Sequence, residues 1–389
     1  MNDVVQLACE LLERPSLTPD DAGCCDLIRS RLERLGMQSQ DLSDANVTNW
    51  YFSHGQGSPH LMLLGHTDVV PPGPEREWTT PPFEPTIERG HLRARGAADM
   101  KSSVAAFVVA LEDFIRGCPN HPGTVSLLLT SDEEGPAVHG VRSAVRWLQA
   151  NNQLPDACLV GEPSSQETLG DGIRIGRRGS INASLHIQGV QGHTAFADPS
   201  DNPVHFAAPL LAALTAMTFD DGDTHFPATR LQISNLAAGS GATNVTPANL
   251  RVDFNLRNNP SSPSALLKAR IEALIREHIP DGVWQLDWDD SSQPFGPATG
   301  LLPDAVEKAC QKTLGVTPGR NTGGGTSDGR FLGPLGVSVV ELGPVNASIH
   351  KIDEYINVAA LRQLPVLYRA VIEEVLLTDN ADKIKGNHA

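Results

Sequence analysis

The sequence has no cluster of lysine or arginine, no C-x-x-C pair and no apolar run approaching membrane-spanning length. Its 30 basic residues stand against 46 acidic ones, for a formal net charge of −16 at pH 7. Nothing in that balance attracts a phosphate backbone or an anionic bilayer, so neither nucleic acid nor a membrane is expected as a partner. The longest clean apolar stretch, near Val104–Leu111, is far short of the roughly 20 residues that span a bilayer. Met1-Asn2-Asp3 does not open a signal peptide, and a cytoplasmic protein is expected. The six cysteines are scattered, which suits a reducing compartment and argues against a thiolate zinc site. Any metal would then be held by histidine and carboxylate. There is no P-loop, no G-x-G-x-x-G pattern and no internal repeat, so no nucleotide cofactor is indicated.

A chain of 389 residues allows two or three domains. Apolar spacing predicts two helices within residues 2–36, on the outside of a domain. Buried strands follow at Leu61–Leu64, Val125–Thr130 and Ala157–Val160, alternating with helices at 101–117 and 139–151. This is the rhythm of an α/β domain. From Ser180 the texture changes. Alternating strands at Ile181–Gly189, Leu231–Leu236, Leu250–Leu256 and near Trp284–Leu286, with helices at 203–217 and 263–278, suggest an inserted α+β domain. After Ser291 the first texture resumes, with a helix at 303–314, a strand at Val337–Leu342 and a helix at 359–377. We therefore expect a discontinuous α/β domain of residues 1–179 and 293–389, an insertion of residues 180–292, and a polar, disordered tail from Thr378.

Candidate chemistry sits just after the predicted strands. Leu61 to Asp68 runs from a buried strand into His66-Thr67-Asp68, where residues two apart project to the same side. His66 could bind a metal with Asp68 orienting its ring, or be a surface histidine beside a turn. Asp99 lies immediately before a long helix and reads equally as its N-cap. Thr130-Ser131-Asp132-Glu133-Glu134 places carboxylates at a strand end, where open α/β sheets build their sites. Neighbouring residues in extended chain face opposite ways, so Glu133 and Glu134 could divide into base and ligand; an acidic run is otherwise a solvated loop. Glu162 follows the next strand, as ligand or as turn residue before Pro163, and His350 follows another, as ligand or bystander. Together, two histidines and three carboxylates suit a pair of Zn²⁺ ions, which in such sites lie about 3.5–4 Å apart.

Gly325-Thr326-Ser327-Asp328-Gly329 matches G-x-S-x-G, the serine-hydrolase elbow, which needs a buried strand before it and a helix after it. Polar, flexible Asn321 to Gly324 precedes it and Gly333-Pro334 would stop a helix, so the loop reads instead as a cradle of N–H groups, with the Thr326 hydroxyl, for a substrate carboxylate.

These tracts, with Gly65 to Gly73, Arg95 to Lys101, Leu159 to Ser165, Gly176 to Ser180, Gly189 to His193, Asp201 to His205, Gly324 to Phe331 and Glu341 to Lys351, resemble the M20 di-zinc metallopeptidase family nearly end to end. The resemblance implies a zinc-peptidase-like catalytic domain with a lid that mediates homodimerisation, and hydrolysis of a linear amide in a small molecule. It implies two Zn²⁺ per subunit, with Co²⁺ able to substitute: His66 and Glu162 on one ion, Glu134 and His350 on the other, and Asp99 between them. Asp68 would support His66, and Glu133 would be the general base. Arg177, Ser180, Arg257, Gly325, Thr326 and Asn346 fall where the family contacts substrate, with Asn244 and His193 reaching in from the partner subunit. Arg177 suits a carboxylate-rich substrate, which needs a local cationic fork whatever the global charge. Phe196 stands where many relatives carry Tyr, so one hydroxyl contact is absent. A peptide-binding or regulatory module on the same fold is the alternative without catalysis.

Overall fold

The computed structural model describes residues 4–378, so the expected disordered tail lies, from residue 379 on, outside the described residues. The chain divides into two compact units: Met1–Gly176, Gly296–Asn321 and Ser327–Ala389 form the first, and Arg177–Phe295 with Thr322–Thr326 the second.

The first unit opens with helices α1 (Val4–Leu12) and α2 (Cys24–Leu32), then strands β1 (Gln38–Asp41), β2 (Asn49–Gln56) and β3 (His60–His66). Short β4 (Thr86–Glu88) and β5 (His91–Arg93) precede α3 (Lys101–Gly117), β6 (Gly123–Thr130), α4 (Val141–Ala150), β7 (Ala157–Val160) and β8 (Gly172–Arg174). The second unit holds β9 (Ser180–Gln188), α5 (Pro203–Ala216), β10 (Arg230–Ala238), β11 (Asn249–Arg257), α6 (Ser264–His278) and β12 (Trp284–Ser292). The first unit then resumes with α7 (Leu301–Leu314), β13 (Gly319–Asn321), β14 (Ser338–Glu341), β15 (Tyr355–Asn357) and α8 (Val358–Leu376).

The large sheet of the first unit runs β1-β2-β6-β3-β7-β14-β8-β13. Its centre, β6, β3, β7 and β14, is parallel. Every residue of β3, β6 and β7 is buried, as expected of parallel strands covered on both faces. β3 lies between β6 and β7, so the chain leaves β3 to one side through α3 and then crosses to its other side through α4. That reversal of direction opens a crevice at the carboxyl ends of β3, β6 and β7. Helices α1, α3, α7 and α8 pack on one another beside the sheet. In α1, Leu7, Ala8, Leu11 and Leu12 are fully buried, so this helix belongs to the core rather than lying on the outside.

Antiparallel β1 and β2 extend the sheet, and a small sheet β15-β5-β4 stands apart from it. None of these was expected. Polar, mostly exposed β1 has no apolar alternation, and the three-residue strands of the small sheet are too short to show a period.

The second unit is a four-stranded antiparallel sheet, β10-β11-β9-β12, with α5 and α6 on one face. Its core is built from alternate residues of β9 and β11, such as Leu185 and Val252, against Leu210, Ile271 and Ile275 of the helices. Thr322–Thr326, which the sequence reading keeps with residues 293–389, packs in this unit instead. Arg177 Nη1 donates to Gly323 O at 2.8 Å and Gly325 O at 2.7 Å, and the Thr322 hydroxyl donates to His225 O at 2.6 Å.

In the first unit, Phe107 of α3 is fully buried, with its ring centroid 4.4 Å from that of Tyr368 on α8. Phe107→Ala removes that stack and leaves a cavity under the crevice, for an expected loss of about 3–5 kcal/mol. Urea unfolding should show a lower midpoint; an unchanged midpoint contradicts the placement of this ring.

Candidate metal centre

Five side chains from five segments of the first unit converge at the sheet's carboxyl end. His66 is the last residue of β3, Glu134 and Glu162 follow β6 and β7, and His350 follows β14 through a short turn. Asp99 precedes α3 but does not cap it, because Met100 is the N-cap residue and no side chain caps the helix. The carboxylate of Asp99 instead faces two ways. Its Oδ1 is 3.4 Å from His66 Nε2, and its Oδ2 is 3.3 Å from His350 Nε2. Glu162 Oε1 lies 3.7 Å from His66 Nε2, and Glu134 Oε1 lies 2.9 Å from His350 Nε2. Two triads result, His66–Asp99–Glu162 and Asp99–Glu134–His350, each with its ligand atoms within 4.8 Å of one another, and they share Asp99. Glu133 forms a third such group with His66 and Glu134.

The sequence reading has the Asp68 carboxylate orienting the His66 ring; the structure divides that task. His66 Nδ1 is 2.9 Å from the backbone carbonyl of Asp68 and 3.5 Å from its carboxylate. Bonded to that carbonyl, Nδ1 carries the proton, and Nε2 is left as a lone-pair donor toward Asp99 and Glu162. The carboxylate of Asp68 accepts from the Thr18 hydroxyl at 2.6 Å and from the N–H groups of Glu133 and Glu134 at 3.3 and 3.1 Å. Asp68 thus fixes the backbone that aims both glutamates.

Negative charge dominates this site. Burial and then the neighbouring Asp328 push Glu133 well above the usual carboxylate range, and burial with the charge of Asp99 does the same to Glu162. Burial alone would raise Asp99 too, but hydrogen bonding to His350 and His66 holds it well below. Asp99 and Glu134 together raise His350 to about 10. Sequence reasoning missed Asp328, which lies in a quoted tract but whose complete burial no local pattern reveals; burial pushes it up to about 7, and both its oxygens lack a hydrogen-bond partner. His66 Nε2 and Asp99 Oδ1 are likewise buried without partners. Orphaned lone pairs and crowded carboxylates facing each other fit divalent cations, which neutralise both. Nitrogen and carboxylate donors without thiolate suit zinc and its neighbours in the first transition row.

The residues expected to touch substrate divide between the units. Asn346 is partly buried in the first, with its N–H on Ser165 O. In the second, Arg177 is buried against the glycine loop of Gly325 and Thr326, and Ser180 is buried at the start of β9, with Asn255 donating to its hydroxyl. Arg257 ends β11 and is exposed. His193 and Asn244 are exposed on two paired loops, tied by the Thr194 N–H on Asn244 O. His193 Nδ1 accepts from the Ala195 N–H at 3.1 Å, which leaves Nε2–H as the free donor. The serine-hydrolase motif meets a different environment. Ser327 is fully buried and donates to Glu341 at 2.5 Å; the strand that precedes it in the chain, β13, is mostly exposed, and a short 3₁₀ turn, Asp328–Phe331, follows.

A parallel sheet with two histidine–carboxylate triads sharing one aspartate at its carboxyl edge defines a dinuclear metallohydrolase type of site. The model of peptidase family M20/M25/M40 matches residues 62–374, and the chain belongs to that family. Over 376 residues it is 52% identical to a protein of Xylella fastidiosa (strain M12) named succinyl-diaminopimelate desuccinylase, covering 97% of this chain and 99% of that one. The M20 family metallo-carboxypeptidase Sso-CP2 of Sulfolobus solfataricus shares the fold, with a TM-score of 0.78 and 16% identity over 96% of this chain and 99% of that one. So does the YXEP protein of Bacillus subtilis, described as a dinuclear metal binding peptidase from the M20 family, with a TM-score of 0.72 and 16% identity over 96% and 98% of the two chains. No helix among the described residues is long and apolar enough to cross a membrane.

With His350 raised to about 10, its ring carries a proton at neutral pH in the metal-free chain, and a ligating imidazole must be neutral. Loading with Zn²⁺ at pH 7 should therefore release at least one proton, and affinity should fall as the pH is lowered. Calorimetric titration in two buffers of different ionisation enthalpy measures this; binding without proton release contradicts the assignment of His350.

Proposed function

We propose that the chain hydrolyses the succinyl amide of N-succinyl-L,L-2,6-diaminopimelate, releasing succinate and L,L-2,6-diaminopimelate for lysine and cell-wall precursor synthesis in the cytoplasm. The observation that carries a hydrolytic reading is the position of Glu133. Its carboxylate is within reach of His66 and Glu134 yet stands outside both triads that share Asp99. The choice of substrate is supported by the name of the full-length relative at 52% identity.

In this reading His66 with Glu162, and Glu134 with His350, would each hold one Zn²⁺, with Asp99 shared by the two sites. Bound ions would polarise the amide carbonyl and acidify a water. Glu133, whose proton affinity burial raises, takes a proton from the attacking water as the carboxylate and gives it to the leaving amine nitrogen. Asp68 keeps Glu133 aimed through its hold on the Glu133 N–H. The N–H groups of Gly325 and Thr326, with Arg177, Ser180, Arg257 and Asn346, bind the substrate carboxylates. His193 Nε2–H of a second copy donates to the developing oxyanion, with Asn244 beside it, and the chain works as a homodimer.

The purified chain should hydrolyse the N-succinyl substrate in preference to N-acetyl amino acids and dipeptides, lose activity to a chelator and regain it with Zn²⁺ or Co²⁺. Preference for another panel member moves the protein to a different M20 deacylase or carboxypeptidase. Glu133→Gln should lower turnover by at least about 10²-fold with both metals retained, whereas Glu134→Gln should lower metal occupancy. The reverse pattern would mean that the two glutamates exchange roles.

Mixed dimers test the sharing of His193. His193→Ala and Glu133→Gln homodimers should both be nearly inactive, and verified heterodimers should recover one working site from the two intact residues. Absence of recovery places His193 outside the partner's chemistry.

A further inference from the structure

Beyond the five metal-facing side chains, the first unit contains a second buried carboxylate whose partners converge on the same place. Glu354 is fully buried, four residues beyond His350, at the entry to β15. Its Oε1 accepts from the N–H groups of Ala98 at 2.8 Å and Asp99 at 3.0 Å. Its Oε2 accepts from the Gly96 N–H at 3.0 Å and from Arg95 Nη1 at 2.7 Å. Arg95 is itself 2% exposed, donates onward to Lys351 O at 3.3 Å and lies over the Trp78 ring. One carboxylate therefore gathers three consecutive-segment N–H groups ending at Asp99, while the arginine beside it grips the segment that carries His350. The Gly96 backbone has φ +89°, and a Cβ there would stand 2.8 Å from Val69 Cγ1, so the loop is close-wrapped and tolerates no side chain at that point.

We propose that Glu354 is the positioning residue of the metal centre: with Arg95 it sets the distance between Asp99, the carboxylate common to both triads, and His350. This rests on the dinuclear reading above and deepens it. The β5–β15 ladder, pairing Leu92 with Ile356, brings the two segments side by side but ends before either reaches its ligand. From Ala94 to Asp99 on one side and from His350 to Glu354 on the other, the alignment is carried by these bonds, together with Ala94 N–H on Glu354 O at 3.2 Å. Four donors saturate the lone pairs of the carboxylate, so Glu354 itself is spent on the loop and offers nothing to an ion. Groups of this kind, which hold ligands rather than the metal, typically govern affinity by about 10- to 100-fold.

Glu354→Gln keeps the shape but turns one acceptor into a donor facing Arg95 or an N–H. A control is Glu112→Gln, which alters another buried carboxylate of the same unit: partly exposed Arg31 bonds both Glu112 oxygens, at 2.9 and 3.1 Å, away from the metal-facing residues. Metal-free full-length proteins, shown folded by near-ultraviolet circular dichroism, are titrated with Co²⁺ by calorimetry and by visible absorption. Expected is a loss of about 10- to 100-fold in Co²⁺ affinity in Glu354→Gln, with altered absorption bands in the loaded protein, and an unchanged affinity and spectrum in Glu112→Gln. Wild-type affinity and spectrum in a folded Glu354→Gln overturn the proposal, as does an equal loss in the control, which would make the effect one of general stability. If Glu354→Gln does not fold, Glu354→Asp keeps the charge facing Arg95 on a side chain one carbon shorter; wild-type affinity in that variant overturns the proposal equally. Failure of the unmodified protein to bind Co²⁺ would instead defeat the dinuclear reading itself.

Discussion

Carboxylates repel one another, and this protein concentrates several of them at one end of a buried sheet. Asp99, Glu133, Glu134, Glu162 and Asp328 sit around two imidazoles, and the raised proton affinity of Glu133, Glu162 and Asp328 registers first their burial and then the neighbouring carboxylates. Such an arrangement persists only if the backbone holds it by force. The three central strands of the crevice are buried along their whole length, so the ends from which His66, Glu134 and Glu162 are presented do not relax apart. The core is in this sense the counterweight of the site.

Anchoring at the site repeats one physical idea. For Glu133, Glu134 and Asp99, a buried carboxylate holds the backbone from which the side chain springs. Asp68 holds the segment of Glu133 and Glu134, Thr18 holds Asp68, and Glu354 holds the segment of Asp99. The bonds run mainly to backbone N–H groups, which a sequence does not advertise, because every residue but proline supplies one.

That explains what could and could not be read beforehand. Parallel central strands are continuous apolar runs, and β7 and α3 were placed at their observed limits from pattern alone. The candidate ligands were legible because His66, Glu134, Glu162 and His350 come after such strands and Asp99 stands before a long helix, and the family resemblance added their grouping. The edge strands, the small sheet, Asp328 and Glu354 were not. Exposed β1 lacks the alternation that burial of one face imposes, and the importance of Glu354 comes from donors more than 250 residues away in sequence. The share of the Asp68 carbonyl in orienting His66 was invisible for the same reason, since sequence shows which side chains are present and not which main-chain oxygen is nearer. Ser327 shows the opposite failure, a motif without its setting.

Lys101 adds a consequence for assembly. It begins the helix that follows Asp99, is wholly buried, and donates its ammonium to the carbonyls of Leu11 and Arg14 at 3.0 and 2.7 Å. Those oxygens belong to the end of α1 and the turn beyond it. Each carbonyl also accepts from a neighbouring N–H, Leu11 O from Arg14 at 3.2 Å and Arg14 O from Ser16 at 2.8 Å, and Lys101, 90 positions beyond Leu11, adds the bond that ties the end of α1 to the start of α3. The loop bearing Asp99 therefore acquires its floor only when α1 and α3, far apart in sequence, come together.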